Sequence, residues 1–227
     1  MIILTGASGG IGHAILPSLA KLDDVIAVYH TKEPALDNMQ RITPFKVDIT
    51  SEQEIDDFVA SIKSTLKKIT LIHAATLNQD GLLAQFKTND WDSVIDVNLR
   101  ANFLLTRKLI LPMLKENWGR VIHFSSVAGA MGTPGTIAYS TAKTGLLGMS
   151  RVIANEYARF NITSNVLMLG YFHTGLAETL SEKIRKTILE KIPSGRLGDP
   201  ENIVNAIDFL IKSDYVNGSS IHIDGGI

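Results

Sequence analysis

A tyrosine and a lysine stand four residues apart in the segment Ile137-Ala138-Tyr139-Ser140-Thr141-Ala142-Lys143. On a helix, residues i and i+4 share one face, so these two side chains would lie one turn apart. A phenol can exchange a proton, and a nearby ammonium group favours its ionised form. The pair is therefore either ordinary helix surface or part of a proton-transfer site, and its spacing alone leaves both interpretations open.

A second candidate is the glycine-rich segment from Thr5 to Gly12, TGASGGIG, which follows a short apolar run and precedes a helical pattern. Gly6 permits a tight turn, a side chain at Gly10 would block the approach of a pyrophosphate, and Gly12 lets the helix lie close to the strand. A helix N-terminus also attracts phosphate. Because a strand precedes it and a helix follows it, the segment predicts dinucleotide binding rather than a flexible loop without a ligand.

Short β-rich runs alternate with longer helical patterns along the chain. We predict strands over Ile2–Leu4, Val25–Tyr29, Pro44–Val47, Ile69–His73, Arg120–Ser125, Thr163–Met168 and Ser219–Ile223, and helices near Gly10–Lys21, Ser51–Leu66, Asp90–Glu116, Ile137–Phe160, Ala177–Lys191 and Glu201–Ile211. Continuously apolar strands separated by helices indicate a parallel sheet covered on both faces. We expect a single domain over 1–227 with a Rossmann-type doubly wound α/β fold, its roughly seven strands in the order 3-2-1-4-5-6-7.

The composition is that of an ordinary globular protein, with 227 residues, 45% apolar residues, a net charge of −1 and no cysteine. It gives no reason to expect nucleic acid or an anionic membrane as a partner, and it excludes thiolate chemistry. The six histidines show no metal-ligand spacing, so we predict no metal site. The N-terminus lacks a basic leader, and no apolar run approaches the roughly 18 residues of a membrane span. We expect a soluble, cytoplasmic protein.

The glycine spacing Gly-x3-Gly-x-Gly, with its leading threonine, resembles the cofactor turn of the short-chain dehydrogenase/reductases. The resemblance extends over essentially the whole chain, including the segments Val47–Thr50 and Leu169–Thr174. It implies that Asp48 accepts a hydrogen bond from the adenine amine and that Thr174 holds the nicotinamide carboxamide. The cofactor-binding residues implied are Gly6, Ser8, Gly10, Ile11, Gly12, His30, Thr31, Lys32, Asp48, Ile49, Ala74, Ala75, Tyr139, Lys143, Gly170 and Thr174.

The same resemblance implies a catalytic set of Asn98, Ser126, Tyr139 and Lys143. It selects Ser126 rather than Ser125, because Ser126 stands thirteen residues before Tyr139. The tyrosine would exchange a proton with the substrate, and the serine would hold the substrate oxygen. The lysine would bind the nicotinamide ribose and, together with the positive oxidised nicotinamide, would lower the pKa of the tyrosine. Asn98 is expected to disturb its long helix and to hold a water that contacts the lysine.

The chain departs from the family pattern after the fourth strand, where His73-Ala74-Ala75-Thr76 replaces the usual Asn-Asn-Ala-Gly. We expect Ala75 to keep a small residue beside the cofactor ribose. His73 is expected to be a buried structural histidine, with a substitute hydrogen bond in the site as the alternative. Leu169 replaces the usual proline.

The end of the second strand bears on the choice of cofactor. Members of the family that use NAD generally carry an acid there, whereas this chain continues as His30-Thr31-Lys32, which suits a 2′-phosphate. Gly9 favours NAD(H) instead, because many NADP-dependent relatives have arginine or lysine at that place. We predict NADP(H) as the preferred cofactor, with NAD(H) as the alternative.

Within the family, the segments LNQDGLLAQF and GRVIHFSSVAGAMGTPG are most similar to the 3-oxoacyl-carrier-protein reductases. That similarity implies reduction of a 3-oxoacyl thioester and an acyl-carrier protein as a partner. Carrier docking in these relatives uses basic residues beside the cleft, and Asn117 and Phe160 stand at the corresponding places. A CoA thioester or another small ketone therefore stays open as the substrate.

Two features would complete such an enzyme. The segment 175–197 is expected to form a mobile lid over the substrate, and the ending IHIDGGI resembles a strand that packs in homotetramers. The alternatives are an alcohol or sugar dehydrogenase of the same family working oxidatively and, from another class, a non-catalytic nucleotide-binding protein.

Overall fold

Seven parallel strands form one sheet in the order β3-β2-β1-β4-β5-β6-β7. The structure is a computed structural model, and it describes residues 1–36, 40–174 and 182–227. The strands are β1 (Ile2–Thr5), β2 (Val25–Tyr29), β3 (Ile42–Lys46), β4 (Ile69–His73), β5 (Gly119–Ser126), β6 (Ile162–Leu169) and β7 (Ser220–Ile223). The predicted Rossmann-type fold and strand order are confirmed.

Helices connect the strands and cover the sheet. They are α1 (Gly10–Leu22), α2 (Glu52–Ile62), α3 (Thr88–Ile95), α4 (Ala101–Glu116), α5 (Val127–Met131), α6 (Ile137–Tyr157), α7 (Glu182–Lys191) and α8 (Pro200–Lys212). Among the described residues, none of these helices combines the length and apolar composition needed to cross a membrane. Residues 175–181 of the predicted lid lie outside the described residues, and α7 occupies part of its remainder.

The two faces of the sheet build two hydrophobic clusters, because successive side chains of a strand point to opposite faces. Ile2 and Leu4 pack with residues of α1 and α8, whereas Ile3 packs with residues of α2 and α4. Burial on both sides explains why the inner strands are continuously apolar. The edge strand β3 is only partly buried and carries Pro44, a residue that edges tolerate.

The long helix predicted over 90–116 is broken. A π-helical segment, Asp96–Arg100, separates α3 from α4. The side chain of Asn98 lies in this segment, and its Nδ2 donates to the carbonyl oxygen of Val94 at 2.8 Å. A side-chain amide that takes a helix carbonyl competes with the backbone ladder, and insertions of this kind interrupt helices. The expected disturbance at Asn98 is thus present.

Candidate active site

The carboxyl ends of β1, β4, β5 and β6 border one cleft of about 580 Å³. In a doubly wound sheet this edge, where the strand order reverses, is the usual ligand position. Most of the predicted site residues line it: Gly6, Ser8, Gly10, Ile11, Gly12, His30, Thr31, Asp48, Ile49, Ala74, Ala75, Ser126, Tyr139, Lys143 and Gly170. Three predicted residues, Asn98, Lys32 and Thr174, are not among those that line it.

The glycine turn is held by close backbone contacts. Gly6 has a φ of +67°, and a Cβ there would lie 2.6 Å from the backbone nitrogen of Ala75. A Cβ at Gly12 would lie 2.2 Å from the carbonyl oxygen of Gly6, so this glycine lets α1 start against the turn. At Gly10, by contrast, the described atoms near a Cβ belong to the Thr174 side chain, at 3.3 and 3.4 Å. Gly6 and Gly12 serve the fold, and Gly10 leaves space on the cleft side.

Helix α1 presents its N-terminus to this space. Its first turn holds no acidic residue, and in the described structure no side chain caps it at Gly9. The first N–H groups of a helix have no intrahelical partners and carry the positive end of the helix dipole. The turn can therefore receive a phosphate group.

Thr5 holds the turn against the end of β4, a contact that the sequence analysis missed. Its Oγ1 accepts hydrogen bonds from the backbone nitrogens of Ala74 and Ala75, both at 3.2 Å. The threonine belongs to the family-like pattern, and its place at the end of a strand was the available signal. Thr5 fixes the backbone that passes the cleft.

Tyr139 and Lys143 lie one turn apart on α6, as their spacing predicts, and both line the cleft. Lys143 is buried, and its Nζ donates to the carbonyl oxygen of Phe124 at 2.9 Å. Nζ lies 5.5 Å from the centroid of the Tyr139 ring. Burial disfavours the ammonium and lowers the pKa of Lys143 to about 8. The lysine therefore remains mainly charged at pH 7.

The direction of the Tyr139 pKa differs from the expectation. Burial, the largest effect, disfavours the phenolate and raises this pKa, while hydrogen bonds to Ser126 and Thr76 lower it by less. The net result is a pKa above the ordinary value for tyrosine. The protein's own groups keep Tyr139 protonated at neutral pH, and Lys143 does not reverse this.

The two serines at the end of β5 point to different partners. The hydroxyl of Ser125 is buried and donates to the carbonyl oxygen of Lys143 at 2.9 Å. Ser126 caps the short helix α5, accepting from the backbone nitrogen of Ala128 at 3.2 Å. It lines the cleft with Tyr139, and its hydroxyl acts to lower the pKa of that tyrosine. Ser126 is thus the serine whose hydroxyl lies beside the tyrosine.

Asn98 lies behind the cleft and is fully buried. Its Nδ2 also donates to the carbonyl oxygen of Leu77 at 2.7 Å, and its Oδ1 accepts from Thr76 Oγ1 at 2.7 Å and from the Leu77 nitrogen at 3.3 Å. The side chain thereby fastens the segment after β4. Thr76, a residue to which the sequence analysis gave no role, lines the cleft and is held by Asn98.

His73 and His123 form a buried stack beneath the site. Their rings are 5.0 Å apart and nearly parallel, and His73 Nε2 is hydrogen-bonded to Thr106 Oγ1 at 2.9 Å. Burial lowers the pKa of His73 well below its ordinary value, and it lowers the pKa of His123 to about 3. Both histidines are therefore neutral at pH 7. His73 bonds away from the cleft, as expected for a structural residue.

The far end of the cleft carries His30, Thr31 and Asp48. Asp48 Oδ1 accepts from the backbone nitrogen and hydroxyl of Thr50, at 2.9 and 2.7 Å, and Oδ2 lies 3.9 Å from His30 Nε2. Partial burial would raise the pKa of Asp48, but the Thr50 hydrogen bonds and the nearby His30 outweigh it and lower this pKa. Asp48 is an ionised acceptor at neutral pH.

The segment after β6 is fixed from below by the end of the chain. Gly170 donates to the carbonyl oxygen of Ile223 at 3.0 Å, and a Cβ on Gly170 would lie 2.7 Å from Cα of Asp224. Leu169 is a buried residue of β6 and packs in the core. Thr174 follows Gly170 by four residues, and its side chain lies next to Gly10.

The two positions compared with carrier-docking residues lie away from the cleft of their own chain. Asn117, in left-handed conformation, ends α4 just before β5, and Phe160 ends a 3-10 turn just before β6. Because the strands are parallel, both residues lie at the amino edge, about 25 Å from the carboxyl ends of these eight-residue strands. Neither residue lines the cleft of its own chain.

Comparison with known proteins agrees with this architecture. Residues 1–185 match the short chain dehydrogenase family. The chain therefore belongs to the short-chain dehydrogenase/reductase family and is an oxidoreductase of that class.

Several curated relatives span nearly the whole chain. The 3-oxoacyl-[acyl-carrier-protein] reductase of Rickettsia bellii is 36% identical, covering 99% of this chain and 95% of the relative. The reductase of the same name from Thermotoga maritima is 34% identical, with coverages of 99% and 96%. Nodulation protein G of Rhizobium sp. strain N33 is 32% identical, with coverages of 99% and 95%.

Proposed function

We propose that this chain uses NADPH to reduce a ketone to a secondary alcohol, and that the ketone is a 3-oxoacyl thioester converted to its 3-hydroxyacyl form. One observation carries the proposal: Ser126, Tyr139 and the buried Lys143 line one cleft that begins at the glycine turn. The names of the reductase relatives suggest the thioester.

The residues of the cleft fit a dinucleotide. The uncapped start of α1 and the open side of Gly10 suit a pyrophosphate, and the ionised Asp48 suits the adenine amine. Gly170, Thr174 and the main chain at Ala74 and Ala75 would hold the nicotinamide end. When bound, the reduced nicotinamide supplies the hydride.

Tyr139 would supply the proton. Reduction of a carbonyl group requires a proton at oxygen, and burial raises the pKa of Tyr139, so the phenol carries its proton at neutral pH. Ser126 would donate to the substrate oxygen and stabilise the negative charge that develops there. A protonated phenol is the form required for reduction, whereas oxidation requires a phenolate. The names of the reductase relatives, rather than the protonation state of Tyr139, favour the reductive direction over the oxidative alternative.

Lys143 would hold the cofactor ribose. Its ammonium has three donors, one of which goes to Phe124, so the others can reach ribose hydroxyls. Its positive charge near the phenol would also stabilise the phenolate that remains after proton transfer. The alternative of a non-catalytic nucleotide-binding protein leaves a buried, costly lysine cation unexplained.

The proposed partners follow from the family. An acyl-carrier protein could deliver the substrate, although Asn117 and Phe160 lack the basic charge of the docking positions. We also propose that the protein is cytoplasmic and forms a homotetramer. The reason for the assembly is that β7 is an edge strand with partly exposed residues that a second copy could cover.

The proposed activity is testable with a substrate panel. We expect NADPH to be oxidised with acetoacetyl and longer 3-oxoacyl thioesters, on CoA and on carrier protein, and the rate to be higher with these than with simple ketones. The measurement is the loss of NADPH absorbance at neutral pH. Activity only with unrelated ketones would remove the thioester substrate, and activity only with alcohols or sugars and oxidised cofactor would favour the alternative dehydrogenase.

NADPH is expected to bind at least about tenfold more tightly than NADH, since one charge-assisted hydrogen bond to a 2′-phosphate is sufficient for such a ratio. Lys32→Ala should weaken NADPH binding and leave NADH binding unchanged. Both affinities are measured by titrating the protein with each cofactor and following the fluorescence. Lys21→Ala serves as the control, because it removes the same charge from the last turn of α1, at the end away from the glycine turn. Tighter binding of NADH to the unmodified chain would contradict the assignment.

A further inference from the structure

We propose that His123 and Asn102 are positioning residues of the active site: their hydrogen bonds hold the π-helical segment, so that Asn98 keeps the segment after β4 in place on the wall of the cleft. The proposal rests on the proposed function, because this wall would face the nicotinamide end of the cofactor. Asn102 and His123 do not line the cleft themselves and act through Asn98.

The segment 74–77 lines the cleft and brings little side-chain support of its own. His73 and Ala74 stand where the family pattern has two asparagines, so the two side-chain amides of that pattern are absent. The segment is held from outside instead. Thr5 Oγ1 accepts from two of its backbone nitrogens, and Asn98 bonds the rest of it at 2.7 to 3.3 Å. The position of Asn98 therefore decides the position of this part of the wall.

Asn98 lies in a rare backbone conformation that the helical ladder does not hold by itself. Its Nδ2 gives one hydrogen to Leu77 of the wall and the other to the carbonyl oxygen of Val94, at 2.7 and 2.8 Å. The second bond takes the carbonyl oxygen four residues back, which an α-helix would use for the backbone nitrogen of Asn98. The carbonyl oxygen of Asn98 in turn accepts from Asn102 Nδ2 at 3.1 Å. Asn102, in the first turn of α4, thus fastens the π-helical segment from outside the ladder.

The hydrogen bond from Asn102 fixes the tautomer of His123. A carbonyl oxygen only accepts, so the Asn102 atom that faces Asn98 is Nδ2, and the atom that faces His123 is Oδ1. Because Oδ1 also only accepts, Nδ1 of His123, 3.1 Å away, carries the hydrogen. A continuous chain of hydrogen bonds therefore runs from β5 through α4 and the π-helical segment to the wall of the cleft.

The other ring nitrogen of His123 shows what the histidine adds. With the hydrogen on Nδ1, Nε2 is a bare acceptor, and it is buried without a hydrogen-bond partner in the part of the chain that the structure describes. A buried polar atom without a partner costs stability, and an apolar side chain would avoid this cost. The donor at Nδ1 is the contribution that an apolar residue could not make.

His123 is itself held rigidly, as a positioning residue must be. It is fully buried in β5 directly opposite His73 of β4, and the two rings stack 5.0 Å apart. His73 Nε2 is hydrogen-bonded to Thr106 of α4 at 2.9 Å. Both rings are neutral at pH 7, because burial lowers the pKa of each. The sheet therefore offers Asn102 a fixed donor.

The test compares His123→Asn with His123→Leu. Asparagine can place its side-chain nitrogen where Nδ1 stood and so keep a donor to Asn102, whereas leucine fills the site without a donor. Both variants lose the ring stack with His73, so the stack cannot explain a difference between them. Ser164→Ala is the control, because it removes a different buried hydrogen bond, the one from Ser164 to Ser150 at 3.0 Å.

Two measurements need no substrate. Nitrogen-15 NMR should show the Nδ1–H tautomer of His123 in the unmodified protein, assigned by its loss in His123→Asn. Hydrogen exchange follows the amide of Leu77, which donates to Asn98, relative to the amide of Leu71 in the core of β4. We expect this relative exchange to be at least about tenfold faster in His123→Leu, which corresponds to the loss of one hydrogen bond. It should stay within about twofold of the unmodified value in His123→Asn and in Ser164→Ala.

Kinetics supply the third measurement. His123→Leu is expected to lower kcat for ketone reduction about tenfold, because a shifted wall misplaces the nicotinamide. NADPH affinity should stay within about threefold, since the phosphate contacts at the glycine turn are unchanged. His123→Asn should keep kcat within about twofold of the unmodified value.

Each measurement can overturn the proposal. An Nε2–H tautomer of His123, an unchanged relative exchange of Leu77 in His123→Leu, or equal changes in the asparagine and leucine variants would do so. If His123→Leu does not fold, Asn102→Ala replaces it under the same criteria. A chain that reduces no ketone would refute the proposed function, whereas the tautomer and the exchange would still decide whether His123 and Asn102 hold the wall of the cleft.

Discussion

Replacement of Tyr139 by phenylalanine is expected to lower kcat for ketone reduction by about 1,000-fold, within the range by which positioned proton donors accelerate reactions. The change removes the acidic oxygen and keeps the ring, so the shape of the cleft and the burial of Lys143 are retained. Because the proposed cofactor contacts are chiefly those of the glycine turn, Asp48 and Lys143, the affinity for NADPH is expected to change by less than about threefold.

This prediction is checked by steady-state kinetics together with NADPH titration and thermal unfolding of both proteins. Tyr157→Phe is the matched control, because it removes a phenolic oxygen from the same helix α6 at its other end. The control should retain full activity. Turnover within about tenfold of the unmodified protein in Tyr139→Phe would remove the proton-donor role, since a positioned acid contributes more than that.

The fold was accessible from the sequence because its signals are local and repeated. The apolar strands β1 and β4 are buried on both faces and read as continuous apolar runs. The break between α3 and α4 was less accessible. Its cause, the amide of Asn98 bonded to the Val94 carbonyl oxygen, could be expected only through the family resemblance.

The spacing of Tyr139 and Lys143 on one helix face was predictable in the same way, since it depends on the helical repeat alone. The contacts of Thr5 and Thr76 were not. Each joins residues far apart in the chain, Thr5 to Ala74 and Thr76 to Asn98, and such contacts exist only once β1, β4 and the π-helical segment are assembled. A single hydroxyl has no periodic signature that could reveal them.

The protein alone raises the pKa of Tyr139, whereas the expectation of a lowered pKa combined Lys143 with the oxidised nicotinamide. The sequence displays a lysine four residues away, which favours the phenolate, but it does not display burial, which opposes it more strongly. The sequence also does not show on which edge of the sheet Asn117 and Phe160 lie. Alignment to a family assigns positions along the chain, whereas the edge of the sheet on which they lie follows from strand direction.

Two glycines of the turn are expected to separate stability from cofactor binding. Gly12→Ala should lower the free energy of unfolding by about 3 kcal/mol, because its Cβ would lie 2.2 Å from the Gly6 carbonyl oxygen and the backbone must move. The gain in helix propensity, about 1 kcal/mol, offsets only part of this cost. Denaturation by urea at neutral pH measures the change.

Gly10→Ala, two residues away on the same helix, is the matched comparison. Its Cβ meets only the flexible Thr174 side chain at 3.3 Å among the described atoms, so the free energy of unfolding should stay within about 0.5 kcal/mol of the unmodified value. The same methyl group stands where the pyrophosphate would approach α1, and NADPH binding should weaken at least about tenfold. Unchanged NADPH affinity in Gly10→Ala would mean that the phosphates bind elsewhere, and an undiminished stability in Gly12→Ala would mean that the turn can relax. Because one variant tests the ligand and the other the fold, a loss of activity in either can be assigned to its cause.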